Sequence, residues 1–188
     1  MPVFFSFDFE AQGPNYTTNG VNGLGIVIFD EQGNELECYE TGIQCTNGRQ
    51  MDPNTKSGFW DKQPEALNWI NNNLKEPWVV VQDIINLYKK YKQSHGKVVW
   101  IAWPAAYDWG LMVDFYNEFK PNNSPNIGFK AECMSTLFKA YCAQTQITES
   151  DGKEKLDFNI KNPHFPGSDA RTQGKVGIKL ISFFKMKY

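Results

Sequence analysis

The 188-residue sequence has no long apolar run and is poor in cysteine, histidine and arginine. A membrane-spanning helix needs about 18 to 20 consecutive apolar residues, and no segment approaches that length. The first ten residues reach Asp8 and Glu10 before any basic residue, which is not the pattern of a secretory signal. We therefore expect a soluble, cytoplasmic protein without membrane contact.

The cysteines are few and scattered. There are four, Cys38, Cys45, Cys133 and Cys142, and none forms a Cys-x-x-Cys pair. This spacing builds neither a disulfide framework nor a structural zinc site. We expect four free thiols.

The chain also lacks an excess of either charge. It carries 19 basic and 21 acidic residues, for a net charge of -2. Proteins that hold nucleic acid by bulk attraction are normally basic, so a histone-like or polybasic role is excluded. An enzyme that holds phosphate through bound metal ions remains open, because such ions invert the sign of an acidic pocket. Arg49 and Arg171 are candidate phosphate contacts, although solvation explains Arg49 more simply and Arg171 is also placed to brace its helix against a carboxylate.

The length predicts a single domain over residues 1–188, because the chain is long enough for one well-filled core and short for two independent domains. Hydrophobic periodicity predicts its elements. Three antiparallel strands come first, over about 3–9, 24–29 and 35–41, followed by a long loop over 42–62. Further strands are predicted over 97–103 and near Phe129, and an exposed loop over 145–162. Helices are predicted over about 64–75, 81–96, 106–119 and 135–143, and from Ser168 onwards. The order predicts an α/β fold with a mixed five-stranded sheet flanked by helices.

The first candidate motif is a pair of acids on the first predicted strand. Asp8 and Glu10 leave the same face of the strand, roughly 6.6 Å apart along the backbone. If that face is covered, the two carboxylates repel each other and lose hydration, so that a cation is needed to neutralise them. If the strand has already emerged into solvent, the pair is merely hydrated, and this motif alone favours the second interpretation.

A third acid is predicted to point towards the core from a helix. Asp108 shares a helical stripe with apolar residues, whereas Asp114 lies off that stripe and is expected at the surface. Asp108 is either functional or a helix N-terminal charge stabilised by the macrodipole. The apolar members of the stripe are Leu111, Met112, Phe115 and Phe119.

The last predicted helix repeats this pattern, with Asp169 at the head of a stripe. His164 lies five residues earlier, in a segment that two prolines hold away from helical geometry. A histidine in a constrained loop beside a carboxylate is suited to accept a proton near neutral pH. A lone histidine is more often structural or exposed, and we interpret His95 in that way. The other members of the stripe are Gln173, Val176, Leu180 and Phe183.

The four inward-directed carboxylates exceed what a fold of this size buries without metal. Oxygen ligands of this kind suit Mg²⁺ or Mn²⁺, whereas zinc prefers cysteine and histidine. Two such ions about 3.5 to 4 Å apart stabilise the attacking and leaving oxygens of phosphodiester hydrolysis. The predicted reaction class is therefore metal-assisted phosphoryl transfer to water.

Taken in order, these motifs resemble a known family. They are DxE at Asp8 and Glu10, an acid after a strand in WPAAYDWGL, and histidine followed by aspartate in HFPGSDARTQG. The order and spacing are similar to those of the DEDDh group of 3′ to 5′ exonucleases, particularly the small exoribonucleases of the oligoribonuclease and RNase T kind and those of mycobacteria and phages. The resemblance spans residues 3 to about 184.

The resemblance implies a ribonuclease H-like fold and specific roles. Asp8, Glu10 and Asp169 would hold one metal ion with the scissile phosphate, and Asp8 and Asp108 would hold the second, partly through water. His164 would deprotonate the attacking water, and nucleoside 5′-monophosphates would leave from the 3′ end. The cofactors implied are two Mg²⁺ or Mn²⁺ ions.

Contacts to the substrate are harder to predict from the sequence. Ala11 stands where many relatives have threonine, so contacts from Ala11 and Gln12 to the terminal nucleotide are in doubt. Trp60, Tyr107 and Trp109 are candidates for stacking on bases, an interaction worth roughly 1 to 3 kcal/mol per base. Packing is the alternative for each of them, and Trp60, in the most polar surroundings, is the preferred candidate.

The expected partner is single-stranded nucleic acid, with RNA favoured through the nearest-looking relatives. Two alternatives remain open: a 3′ to 5′ DNA exonuclease, and a non-catalytic module that binds and protects 3′ ends. The intact acids and histidine argue against the module, because a binding protein has no need of a group that activates water. The oligomeric state is open, and a homodimer is compatible with the sequence.

Overall fold

The protein, in a computed structural model that describes residues 1–15, 17–44 and 48–188, is built on one mixed sheet. Its long strands are β1 (Val3–Ala11), β2 (Val21–Phe29), β3 (Glu35–Ile43) and β5 (Val98–Ala102), and two short strands, β4 (Leu74–Lys75) and β6 (Glu132–Cys133), lie at its edges. The strand order is β4-β3-β2-β1-β5-β6. β2 runs antiparallel to β1 and β3, and β5 runs parallel to β1.

Helices cover both faces of this sheet. Their bounds are α1 Pro53–Gly58, α2 Pro64–Asn72, α3 Pro77–His95, α4 Ala105–Phe119, α5 Met134–Thr145, α6 Glu149–Leu156 and α7 Pro166–Phe183, with a 3₁₀ turn at Trp60–Lys62. Side chains on β1 alternate between the faces: Phe5 and Phe7 pack in a core with Ile84 of α3, whereas Phe4 packs in a core with Ile178 of α7. The α/β fold predicted from the sequence is confirmed, with six strands in place of five.

Several predicted boundaries are wrong because local signals were weak there. β6 lies at Glu132–Cys133 rather than near Phe129, whose side chain is 91% exposed. The helix predicted over 64–75 ends at Asn72, and the next residues form β4 beside the end of β3. β4 is the sixth strand, and its two residues are too few to produce a periodic pattern.

The two predicted loops both contain helices. α6 lies within residues 145–162, where the side chain of Thr148 accepts a hydrogen bond from the backbone of Asp151 in a capping box. Only Gly152 and Leu156 of α6 are buried, so the helix has no apolar stripe. α1 and the 3₁₀ turn interrupt the segment 42–62, and the carboxylate of Asp52 caps α1.

The other sequence expectations concern cysteines and membranes. Cys38, Cys133 and Cys142 are free thiols, as expected, and Cys45 lies outside the described residues. Among the described residues, no helix combines the length and the apolar character that crossing a bilayer requires.

Candidate metal centre

Asp8 and Glu10 lie towards the end of β1, on the face that α7 covers. Their partners on β2 are glycines, Gly25 opposite Asp8 and Gly23 opposite Glu10. A side chain at Gly25 would collide with the backbone of Pro166 in the first turn of α7. The glycines therefore allow the N-terminus of α7 to approach the two acids closely.

α7 brings two polar side chains onto this face. Asp169 is 6% exposed and Gln173, one turn later, is 5% exposed. The Gln173 side-chain amide donates to Oδ1 of Asp8 at 2.9 Å. Gln173 thus orients Asp8, a role that sequence reasoning missed although it placed Gln173 on the same stripe as Asp169.

Asp108 approaches β1 from the first turn of α4. Its side chain is 3% exposed, and its Oδ1 accepts a hydrogen bond from the backbone N–H of Phe9 at 3.4 Å. Phe9 lies between Asp8 and Glu10 in the chain, so Asp108 is attached to the strand that carries them. Four acids from three segments that are distant in sequence therefore converge on one end of β1, and we call Asp8, Glu10, Asp108 and Asp169 the acid cluster.

His164 completes the arrangement beside α7. Its backbone N–H donates to Oδ2 of Asp169 at 3.1 Å, and its own φ is 65°, in the left-handed region. Glu10, His164 and Asp169 each offer one ligand atom, and these three atoms lie within 4.8 Å of one another. That spacing is compatible with a common cation.

Burial and mutual repulsion disfavour charge on the acid cluster. Burial first, and then repulsion from Asp169 and Asp108, raises the pKa of Glu10 to about 8. Burial raises the pKa of Asp108 to about 7 and that of Asp169 to about 6, and the pKa of Asp8 is also raised well above its ordinary value. Without a cation, the acid cluster therefore retains protons near neutral pH.

The acid cluster also leaves buried oxygens unpaired. Glu10 Oε1, Asp108 Oδ2 and Asp169 Oδ1 have no hydrogen-bond partner among the described residues. Unpaired buried carboxylate oxygens are costly, and coordination to a metal ion is one way to satisfy them. Oxygen atoms of this charge and number fit Mg²⁺ or Mn²⁺. The four acids and His164, which the sequence placed in one site, are brought together.

His164 has the surroundings of a proton acceptor. Burial lowers the pKa of its imidazole, so the neutral form dominates at pH 7. The ring of Phe59 contacts the imidazole edge to face, with centroids 4.6 Å apart. Phe59 therefore supports the orientation of a histidine whose backbone is already tied to Asp169.

Two of the predicted nucleic-acid contacts, Trp60 and Tyr107, differ in their surroundings. Trp60 is fully buried and its indole N–H donates to the backbone oxygen of Ala11 at 3.0 Å, so the expectation that it stacks on a base is wrong for this conformation. Tyr107 donates from its hydroxyl to the backbone oxygen of Gly13 at 2.9 Å, and it lines a cavity of about 680 Å³ together with Glu10, Ala11 and Phe59.

The remaining candidates, Trp109 and Gln12, are not among the residues that line this cavity. Trp109 packs edge to face on Phe7 and borders a different cavity, on the outer side of α4. Gln12 makes backbone hydrogen bonds with Gly20 and Asp52. Neither arrangement tests a contact with nucleic acid.

Both arginines are engaged in ion pairs. Arg171 binds Glu35 through two nitrogen–oxygen contacts of 2.8 and 2.9 Å, which is the bracing role considered from the sequence. Arg49 donates to Asp114 at 2.7 Å and to Glu118 at 2.6 Å. Arg49 therefore has a structural role at the surface, where the sequence suggested simple solvation.

Solved structures that share this fold include 3′-exonucleases. The nuclease domain of 3′hExo, a DEDDh family member determined with bound rAMP, has a TM-score of 0.64 and 11% identity, over 97% of this chain and 92% of that chain. E. coli exonuclease I in complex with a dT13 oligonucleotide has a TM-score of 0.70 and 10% identity, over 98% of this chain and 43% of that chain. S. pombe Pop2p in its Mg²⁺- and Mn²⁺-bound form has a TM-score of 0.60 and 14% identity, over 97% of this chain and 84% of that chain.

These similarities concern the fold. No protein-family model and no curated protein matches the sequence. TM-scores of 0.60 to 0.70 show a shared fold, in agreement with the ribonuclease H-like architecture that the sequence motifs implied, and at identities of 10% to 14% they show nothing beyond the fold.

The stability of the metal-free protein is expected to fall as pH rises from about 5 to 8. In this window the folded acid cluster, with raised pKa values of about 6 to 8, binds more protons than the unfolded chain, so the free energy of unfolding decreases with pH. Melting temperatures in EDTA at a series of pH values test this. Added Mg²⁺ or Mn²⁺ should reverse the trend, and Glu10→Gln should flatten it. A melting temperature in EDTA that rises across the window would contradict the protonated cluster.

Proposed function

We propose that the protein is a divalent-metal-dependent 3′ to 5′ exonuclease that hydrolyses single-stranded RNA. The observation that carries this proposal is the convergence of three buried acids, each with an unpaired oxygen, and the half-buried Asp8 beside a histidine whose pKa burial lowers. A cluster so poor in compensating cations fits metal ions and the phosphate groups that they attract. The fold shared with 3′-exonucleases supports the same assignment.

The acids would hold two Mg²⁺ or Mn²⁺ ions. Asp8, Glu10 and Asp169 would bind one together with the scissile phosphate, and Asp8 and Asp108 would bind the other. The ions, when bound, supply charge stabilisation for the attacking and leaving oxygens. Gln173 supports this set by holding Asp8 in place through its amide. One neighbour structure, that of Pop2p, was determined with Mg²⁺ and Mn²⁺, and another, that of E. coli exonuclease I, with zinc.

His164 would remove the proton from the attacking water. The water oxygen forms a bond to phosphorus, and its proton passes to the imidazole nitrogen. The bond from phosphorus to the 3′ oxygen breaks, and that oxygen takes up a proton from solvent to become the new 3′-hydroxyl group. Neutral His164 at pH 7 is in the correct protonation state to accept it. The products are a nucleoside 5′-monophosphate and a strand that is one nucleotide shorter.

The cavity beside Glu10 is the proposed position of the terminal nucleoside. Its volume of about 680 Å³ is in the range of small-ligand sites, and Phe59 and Tyr107 form part of its wall. Asp52 and Asn54 add polar atoms to the same wall, and such groups are suited to hydrogen bonds with sugar hydroxyls. The preference for RNA rests on the 2′-hydroxyl finding a partner here.

The activity is tested with single-stranded RNA labelled at its 5′ end, incubated with Mg²⁺ or Mn²⁺. We expect a ladder that shortens from the 3′ end and disappears in EDTA and in Asp8→Ala. A matched DNA oligomer, run in parallel, should be hydrolysed more slowly. Internal cuts in one step would indicate an endonuclease, and binding without hydrolysis would indicate a 3′-end-binding module.

A further inference from the structure

Phe59 lies between the cavity beside Glu10 and the imidazole of His164. It forms part of the wall of that cavity, whereas His164 is not among the residues that line it. The centroids of the Phe59 ring and the imidazole are 4.6 Å apart, in edge-to-face contact. Phe59 is only partly buried, so its side chain is accessible from the cavity. A base in the cavity would therefore act on the imidazole through Phe59.

Trp60 fixes Phe59 relative to the strand that carries the acids. The two rings are in edge-to-face contact, with centroids 5.0 Å apart. Trp60 is fully buried, and its indole N–H donates to the backbone oxygen of Ala11, the residue after Glu10. Phe59 follows α1 directly, and its backbone N–H donates to the oxygen of Thr55 at 3.0 Å. The backbone of Phe59 is therefore held beside Glu10, and its side chain is the part that can respond to a ligand.

The imidazole of His164 has few other restraints. The hydrogen bond to Asp169 comes from the backbone N–H of His164, so it does not fix the ring. Within the described part of the chain, neither ring nitrogen of His164 forms a hydrogen bond, and Phe59 supplies its aromatic contact. A misplacement of about 1 Å can lower a rate by about a hundredfold, so the orientation of a proton acceptor limits turnover.

We propose that Phe59 is a positioning residue that couples a base in the cavity to the orientation of His164. This inference rests on the proposed exonuclease function, which places the terminal nucleoside in the cavity. A base packed against Phe59 prevents its ring from turning into the cavity, and the ring then holds the imidazole towards the acid cluster. Phe59 thereby makes hydrolysis depend on the base of the nucleotide that is removed. The substrate selected is a terminal nucleotide that carries its base, in contrast to an abasic sugar phosphate.

A wall residue without this coupling has a different kinetic signature. A contact that stabilises the bound substrate and the transition state equally changes the half-saturating concentration and leaves the maximal rate unchanged. Coupling to His164 instead changes the maximal rate, because the proton acceptor is misplaced even when the substrate is fully bound. The two explanations are therefore separated by measuring both quantities.

The kinetic test uses two RNA oligomers labelled at the 5′ end, one of which ends in a ribose without a base. Single-turnover hydrolysis in Mg²⁺ gives the maximal rate at saturating enzyme. For the wild type, we expect the abasic end to be removed about tenfold to a hundredfold more slowly. Phe59→Leu should remove both ends at the slow rate, whereas Phe59→Tyr keeps the ring and should keep the difference.

The matched control for these variants is Phe119→Leu. Phe119 is also a partly buried phenylalanine, and it packs on Phe115 at the end of α4, on the other face of the sheet from α7. Its loss should leave the maximal rate for both oligomers within about twofold of the wild type, because surface or peripheral substitutions change little in a distant site. Circular dichroism checks that each variant is folded.

The chain has only two histidines, which allows a test without hydrolysis. Imidazoles labelled with ¹³C are observed by NMR in EDTA while adenosine is added, and ribose serves as the ligand without a base. The signal of His164 should shift with adenosine in the wild type and in Phe59→Tyr. The shift should be lost in Phe59→Leu at equal saturation, judged from the signals of adenosine itself. His95, at the end of α3, is the internal control and should not shift.

Three results overturn the inference. They are an abasic end removed by the wild type at the full maximal rate, a Phe59→Leu variant that changes only the half-saturating concentration, and a His164 signal that adenosine does not shift. If Phe59→Leu does not fold, the wild type and Phe59→Tyr still decide through the abasic oligomer and the NMR titration. If the wild type cleaves neither RNA, the exonuclease proposal fails, and the histidine signals still show whether the cavity and the imidazole are coupled.

Discussion

Asp108→Asn is expected to lower the rate of RNA hydrolysis by roughly three orders of magnitude. A metal ion supplies several kcal/mol of transition-state stabilisation. Each 1.36 kcal/mol corresponds to a factor of ten in rate, so the loss of one ion costs on the order of a thousandfold. The amide keeps the shape of the side chain and removes the negative charge. Single-turnover hydrolysis of labelled RNA in Mg²⁺ measures this loss.

The same substitution should leave the metal-free protein folded and, at pH 8, more stable. Asp108 is 3% exposed and burial raises its pKa to about 7, so its ionised form is unfavourable in the fold without a cation. The matched control is Asp114→Asn, on the outer side of the same helix, where Arg49 keeps its contact with Glu118. Activity within tenfold of the wild type in Asp108→Asn would show that this acid does not hold a catalytic ion.

His164→Ala is expected to reduce kcat by about a hundredfold to ten-thousandfold, which is the range for loss of a general base. The affinity for Mn²⁺ should stay close to that of the wild type, because the four carboxylates remain. In this variant, the rate should also no longer fall at acidic pH through protonation of a histidine. Titration calorimetry with Mn²⁺ and initial rates across pH measure these effects. His95→Ala, at the end of α3, is the control.

Loss of Mn²⁺ affinity in His164→Ala would have a clear structural meaning. The ring of His164 is placed so that one nitrogen lies within 4.8 Å of ligand atoms of Glu10 and Asp169. If His164→Ala loses both turnover and Mn²⁺ affinity, the imidazole serves as a ligand or a support for the acid cluster. The assignment as proton acceptor would then be wrong.

The convergence of the acids could be predicted because each lies on a segment with a strong periodic pattern. Asp8 and Glu10 follow strict alternation on β1, and Asp108 and Asp169 each begin an apolar helical stripe. The low exposure of Asp108 and Asp169 follows from those stripes, whereas the motif of Asp8 and Glu10 alone favoured a hydrated strand end, and only the resemblance to the exonuclease family placed these two acids in the site. The pairing of Gln173 with Asp8 could not be predicted, because it depends on how close α7 approaches β1.

Trp60 shows where sequence reasoning fails in physical terms. Its neighbours in sequence are polar, yet Ala66 and Ile70 of α2 pack with it in a small core. Local polarity indicated exposure, and tertiary packing buried the indole instead. α6 is the opposite case: a capping box stabilises a helix with few buried residues, so hydrophobic periodicity carries no signal of it.

The most direct test of the metal centre is anomalous diffraction from crystals containing Mn²⁺. The proposed two-metal function predicts two peaks, about 3.5 to 4 Å apart, among the carboxylates of Asp8, Glu10, Asp108 and Asp169. A single peak would support the site and reject the second ion. An absence of Mn²⁺ from these four side chains, with the protein folded as described, would contradict the account.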